Sequence, residues 1–362
     1  MELKNHPEIL FCGSLKNAET SSWDKTNKFL FNAIKKHSNC KHFDYSITNK
    51  LFRKGYSVLA KLLYGSTIIR DPLYDLILEF NFKKQFKKLT INPNLILHSS
   101  FLCVPSKLKS TAKHILYTDA TIMGAIKYNG FSPSEKALNL FTKETIKYIN
   151  RLHYVFTFNE WTRKSLIEDF QIEERKVMNV GFGANLNPFY GEKDYSNNHL
   201  LIVLRRGLEK NKGLLLLLEA FKIAKKENPA IQLSVVGTTL EPIEGVTYYE
   251  GFPREKTIEL FQQASLYAMP ALFEPNGMVY IEALACKTPI LGLNRLAFPE
   301  FSGYGKFGYI VEENAWDIAK TILAALNNPE ALKKMGEEGQ NFVLARYDWN
   351  IVVNKIINTS LN

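Results

Sequence analysis

The chain has little cysteine: Cys12, Cys40, Cys103 and Cys286 are the four in 362 residues. They form no Cys-x-x-Cys pair and no cluster with histidine, which argues against structural zinc and against a disulfide framework, and suits a reducing compartment. Cys12 and Cys286 stand in apolar contexts and read as core residues. No apolar run reaches the roughly 18 residues that a membrane span needs. The opening MELKNHPEIL lacks the apolar region of a signal peptide, so the expected location is cytoplasmic. The first apolar run is followed by Gly13 alone rather than by GxGxxG, and GxxxxGK[ST] does not occur, which leaves a dinucleotide cradle there and a P-loop unsupported. Zinc-finger, RNA-recognition and clear helix-turn-helix signatures are missing too, so no nucleic-acid partner is expected.

Acidic residues are also in short supply. Lys and Arg number 46 against 36 Asp and Glu, a formal net charge of +10. Part of the excess is dense in the first half, at Lys83, Lys84, Lys87, Lys88, Lys107, Lys109 and Lys113. Such a face binds anionic lipid or phosphate-bearing substrates, or is only solvated. Within EFNFKKQFKKLT (79–90), Phe82, Phe86 and Leu89 recur at helical spacing with lysines on the flanks, and Phe80 falls outside the stripe. Two readings stay open: a surface helix packed by its aromatic face, or a helix lying on an anionic membrane.

What is present is a regular alternation of apolar strand-like runs and helical stretches. EILFC (8–12), ended by Gly13-Ser14, and a helix over 25–36 open a doubly wound parallel-sheet domain. FDYSI (43–47), LILHS (95–99), ILYTD (115–119), YVFTF (154–158) and 176–180 continue it. His98 reads as a structural histidine, and Asn159 as the cap of a helix starting near Glu160. The turn-rich LNPFYGEKDYSNNH (186–199) reads as a linker. A second domain of the same class begins at LLIVL (200–204) and runs to about 345, and a last helical segment occupies 346–362. The fold class expected is α/β, with two Rossmann-like doubly wound parallel-sheet domains, 1–185 and 200–345.

The most informative stretch is LYAMPALFEPNGMVYIEALACKTPILGL (266–293), read as strand, loop, helix, strand. Glu274 lies in the loop before the helix and Glu282 about one turn inside it. Helix starts carry unpaired N–H groups and partial positive charge, and carboxylates accept hydrogen bonds from hydroxyls. Together they form a rim suited to a polyol or a ribose, and Gly277 permits close approach to the backbone. The plainer reading is a helix cap with a surface glutamate. Upstream, Arg206 and Lys212 bracket the first loop of the second domain, where two cations and helix N–H groups suit a pyrophosphate or are only solvated charges. Asp119, at the end of a first-domain strand, reads as a turn residue or as an acceptor for a sugar hydroxyl.

These phrases resemble glycosyltransferase family 4, the group 1 enzymes of retaining mechanism and GT-B fold. The family's pair of glutamates with seven residues between them stands as Glu274, PNGMVYI, Glu282, closing in CKTP. Its arginine and lysine match Arg206 and Lys212 in RRGLEKNKG, and YDWN (347–350) is similar to the start of its last helix, which crosses back to the first domain. Three positions depart from the pattern: Lys287 and Arg205 stand where glycine is common, and Thr118, beside Asp119, where many members have histidine. The resemblance implies transfer of a sugar from a nucleotide-diphosphate sugar to a glycan or lipid-linked acceptor, with anomeric configuration retained and no metal in the site. Glu282 would hold the donor ribose. Glu274, with N–H groups from Asn276, Gly277 and Met278, would hold the donor sugar. Arg206 and Lys212 would hold the diphosphate, Gly13 would approach the phosphates from the other domain, and Asp119 would contact sugar or acceptor. The transfer implied is an ion-pair-like front-face one, in which the leaving phosphate oxygen helps deprotonate the acceptor. A sugar phosphorylase on the same fold and an inactive nucleotide-sugar-binding protein are the competing readings. An anionic membrane surface, on the inner face, is a further expected partner.

Overall fold

A computed structural model describes residues 6–15, 22–45, 50–64, 72–99, 104–105, 108, 110–251 and 253–362. Cys103, Lys107, Lys109 and Phe252, and much of the loop after Gly13, lie outside the described residues. The chain divides into two compact units: residues 1–126, 130–183 and 349–362 form the first, and 184–348 with 127–129 the second.

In the first unit the elements run β1 (Glu8–Cys12), α1 (Ser22–His37), β2 (Asn39–His42), α2 (Lys50–Tyr64), α3 (Pro72–Phe86), β3 (Leu95–His98) and β4 (Lys113–Thr118). They continue with α4 (Ile122–Tyr128), α5 (Glu135–Asn150), β5 (Tyr154–Thr157), α6 (Glu160–Glu168) and β6 (Val177–Asn179). All pairings are parallel, in the order β2-β1-β3-β4-β5-β6. Strands covered on both faces need continuous apolar runs, and Ile9, Leu10, Phe11, Leu95, Ile96 and Leu97 are all buried.

The second strand falls at Asn39–His42 rather than at the apolar run 43–47. Register explains the difference: Glu8 to Phe11 pair with Asn39 to His42. Phe43 and Tyr45 lie beyond that pairing and turn into the core, where both rings meet Phe82 edge-on at 5.1 and 5.0 Å. His98 is buried there as well, between the Tyr45 hydroxyl at 3.1 Å and His114 Nδ1 at 3.0 Å. Asn159 caps α6 by accepting from Thr162 N.

The second unit contains β7 (His199–Val203), α7 (Leu214–Glu227), β8 (Gln232–Val236), β9 (Val246–Tyr249), α8 (Arg254–Gln263) and β10 (Leu266–Ala268). After these come α9 (Met278–Ala285), β11 (Ile290–Leu293), α10 (Phe298–Phe301), β12 (Gly308–Val311), α11 (Ala315–Leu326) and α12 (Pro329–Arg346). Its sheet is also parallel, in the order β12-β11-β10-β7-β8-β9. Counted within the unit, this is the 3-2-1-4-5-6 order of dinucleotide-binding folds, and the order reverses between β7 and β10. The turn-rich stretch 186–199 groups with this unit. Phe189 N donates to Ala285 O at 3.0 Å, and Tyr195 Oη donates to Lys287 O at 2.7 Å. The last helix, α13 (Trp349–Leu361), belongs to the first unit and packs on α1, where His37 Nε2 and Asn350 Oδ1 are 3.3 Å apart. Gly183 makes room for it, since a Cβ there would sit 2.2 Å from the Trp349 indole.

Candidate functional site

The point where strand order reverses in a parallel sheet leaves a crevice at the strands' carboxyl ends. In the second unit, β7 and β10 flank that point, paired through Leu200–Leu266 and Leu201–Tyr267. Their following loops therefore meet. Phe273 N donates to Asn211 O at 3.1 Å and stitches one loop to the other. Gly213 makes the approach possible: it begins α7 at φ +71°, and a Cβ there would lie 1.9 Å from Pro270 O.

This juxtaposition joins Lys212, from the loop after β7, to Glu274, from the loop after β10. Lys212 Nζ donates to Glu274 Oε2 in a largely buried pair, 16% and 10% exposed at the two side chains. Glu274 Oε1 accepts from the backbone N–H groups of Asn276 and Gly277, 3.1 Å each, at the start of α9. Burial alone would raise its pKa. The Lys212 ammonium and the two N–H groups outweigh burial and hold the carboxyl below its ordinary range. Three donors thus use three of roughly four acceptor positions on this carboxylate. Gly277 stands at φ +59°, and a Cβ there would lie 1.9 Å from the Phe301 ring. Phe301 packs against the backbone face where a side chain would project. Met278 opens α9 behind it.

Glu282 lies in the second turn of α9, 6% exposed. Its Oε1 accepts from Arg254 Nη2 at 2.6 Å, and the same nitrogen donates to Asn185 O at 3.0 Å. Arg254 escapes a motif-based reading, yet the sequence carries a signal. It is the first residue of α8, where the helix dipole disfavours a cation, so its presence calls for an acid opposite. Two buried tyrosines frame the carboxylates. Tyr280 Oη donates to Met269 O at 2.6 Å and Tyr267 Oη to Val203 O at 3.3 Å. Burial, then the neighbouring negative charges, pushes both phenols well above their usual range, so they stay protonated.

Arg206 takes a different position. Its guanidinium is 76% exposed and donates to Glu250 Oε1 at 2.6 Å, in the turn after β9. Its neighbour Arg205 is exposed as well. The loop carrying them is held by Glu209, whose Oε1 accepts from Gly207 N at 3.0 Å and Thr238 Oγ1 at 2.7 Å.

Gly13 and Asp119 belong to the first unit. Gly13 follows β1, next to that sheet's own reversal between β1 and β3, and its carbonyl lies 2.7 Å from His42 Nε2. Asp119 follows β4, and its backbone carbonyl accepts from Thr162 Oγ1 at 2.7 Å and, more weakly, from Asn159 Nδ2 at 3.4 Å. Thr118 Oγ1 makes a long contact with Ala120 O at 3.4 Å. Lys287 is the third departure. It follows α9 at φ +57°, the left-handed conformation in which helices commonly end on glycine, and its Nζ donates to Gly191 O at 3.0 Å. Among the described residues no group of three or more His, Cys, Asp or Glu side chains is placed to hold a metal ion.

Residues 192–342 match the family described as glycosyl transferases group 1. Among curated relatives, a probable sucrose-phosphate synthase of Thermosipho melanesiensis is 22% identical over 219 residues, 55% of this chain and 50% of that protein. A phosphatidyl-myo-inositol mannosyltransferase of Propionibacterium freudenreichii is 26% identical over 163 residues, 44% of this chain and 42% of that one. The chain thus spans about half the length of the curated relatives it matches. Among solved structures, a glycosyltransferase from Rickettsia africae superposes with a TM-score of 0.67 over 98% of both chains at 15% identity, a likeness of fold. The chain is a GT-B-type protein of two Rossmann-like units, related through its second unit to the group 1 glycosyl transferases.

Proposed function

We propose that the chain is a nucleotide-sugar-dependent glycosyltransferase that retains anomeric configuration and acts on a glycan or lipid-linked acceptor. The observation that carries this reading is the Lys212–Glu274 pair at the β7/β10 reversal. A cation and an anion share one small space there, as a ligand bearing both phosphate and hydroxyls requires. Lys212 has three donors, so it can keep Glu274 while binding a diphosphate oxygen. That contact strengthens as the sugar–phosphate bond breaks and charge gathers on the leaving group. Glu274 offers its remaining acceptor position to a sugar hydroxyl. Glu282, oriented by Arg254, takes the ribose hydroxyls. Arg206 reaches the diphosphate by exchanging an exposed and therefore weak pair with Glu250. Gly13 serves the phosphates and Asp119 the sugar or acceptor from the first unit, and the reaction needs no metal. Work takes place in the cytoplasm, on the inner face of the membrane.

The test is a turnover screen of nucleotide-diphosphate sugars, with product anomers assigned by NMR. We expect nucleotide diphosphate release with one donor, a retained anomeric centre, and loss of at least about a hundredfold in kcat for Glu274→Gln, the scale of one transition-state contact. Release of a sugar phosphate from a glycoside by inorganic phosphate, without nucleotide, or full turnover by Glu274→Gln, would overturn the reading.

A further inference from the structure

Helices α2 and α3 bring large apolar side chains to the protein surface. On α2, Val58, Leu59, Leu62 and Leu63 are exposed, Leu62 by 79%, while Tyr56 and Ala60 are buried. On α3, Leu76 and Phe80 are exposed, Phe80 by 67%, while Leu78 and Phe82 are buried. The two helices touch through Tyr56 and Tyr74, with ring centroids 5.4 Å apart. A helix that is apolar on two faces expects both to be covered, and patches of this kind mark docking surfaces. Charge identifies the cover. Among the described residues from α2 through Leu89, every exposed charge is positive: Lys54, Lys61, Lys84, Lys87 and Lys88. The acids turn inward, with Asp75 buried and Glu79 paired to Lys83 and Arg151 at 3.3 and 3.2 Å.

We infer that this surface docks the chain on an anionic lipid bilayer. The six apolar side chains enter the boundary between headgroups and acyl chains, and the lysines reach anionic headgroups. A second copy of the chain would set like charges against like. A nucleic acid would engage the lysines and leave the leucines in water. The surface also differs from the one that the sequence periodicity marks: Phe82 belongs to the core and Phe86 packs against it, so the lipid-facing residues are those on the other side of α3 and on α2. This inference rests on the membrane-side placement proposed above. It stands apart from the donor site, because its test reads binding and not turnover.

The experiment is cosedimentation of the full chain with vesicles of phosphatidylcholine and phosphatidylglycerol, and with phosphatidylcholine alone. Binding is expected to the anionic vesicles only, and to weaken as salt rises. Leu62→Asp and, on the other helix, Phe80→Asp are each expected to lower partitioning by about tenfold. Lys54→Gln with Lys61→Gln is expected to lower it by about tenfold or more, at roughly fivefold per lysine. Nucleotide-sugar binding by these variants should stay at the wild-type level. Three results would overturn the inference. Wild type stays in the supernatant; the variants sediment like wild type; or light scattering shows a wild-type dimer that Leu62→Asp dissociates, with no vesicle binding.

Discussion

Arg206 and Lys212 are six residues apart in one loop, yet they occupy opposite physical regimes. Lys212 is enclosed with Glu274, and Arg206 stands in solvent with Glu250. Removing one member of an enclosed pair leaves an uncompensated charge, whereas an exposed pair contributes little. Lys212→Ala should therefore lower unfolding free energy by about 3–5 kcal/mol, and Lys212→Met with Glu274→Gln should recover most of it. Arg206→Ala should change stability by less than about 0.5 kcal/mol while weakening diphosphate binding. Urea unfolding of the four proteins checks this, and equal losses in Lys212→Ala and Arg206→Ala would contradict it. As candidates, Glu274, Glu282, Arg206 and Lys212 were legible in the sequence through residue type and spacing. The pairing was not. Which cation meets which acid depends on sheet order, which places β10 beside β7 and sends Arg254 to Glu282.

At the scale of the element, α9 concentrates the tension. It begins on Gly277 at φ +59° and is followed by Lys287 at φ +57°, so both ends demand a left-handed residue and only one has glycine. A non-glycine residue in that conformation costs roughly 1 kcal/mol or more. Lys287→Gly should raise stability by about 0.5–1 kcal/mol, after allowing for the greater freedom of glycine in the unfolded chain. Denaturant melts would show it as a higher midpoint, and an unchanged or lower midpoint would mean that the Nζ bond to Gly191 O outweighs the strain. Strand positions were readable from apolar runs to within a residue or two, because parallel strands are buried on both faces. The miss at β2 shows the limit of that signal. NCKH carries one buried side chain and pairs as an edge strand, while Phe43 and Tyr45 beside it supply side chains to the core, Ser46 and Ile47 lying outside the described residues.

At the scale of the whole molecule, the two-unit α/β architecture was legible from the alternation of strand and helix. The placement of 186–199 was not, since a polar turn-rich stretch looks the same tethered or loose. Among its tethers here is Lys193. The ammonium is enclosed by Thr288 Oγ1 at 2.5 Å, Phe261 O at 2.8 Å and Cys286 O at 3.4 Å. Burial pushes its pKa down from 10.5 to about 7, against a smaller opposing effect of Cys286. The sign follows from proton binding: above about pH 7 the folded chain releases a proton that the unfolded chain keeps until about pH 10.5, so stability rises with pH across that window. The cost of burying the charge is fully present below about pH 7. Thermal melts from pH 6 to pH 10 should therefore rise more steeply for wild type than for Lys193→Met, and parallel curves would contradict the assignment.

The central claim is that the β7/β10 reversal holds an activated sugar through Lys212 and Glu274. Calorimetric titration of UDP, GDP, ADP and CDP into wild type and into Lys212→Met/Glu274→Gln, which leaves neither charge of the pair behind uncompensated, tests it most directly. The account predicts that one nucleotide binds wild type and that the double variant loses at least about tenfold in affinity, one charge-assisted contact being worth about that much. Equal affinity in the two proteins would place the diphosphate elsewhere and contradict the account.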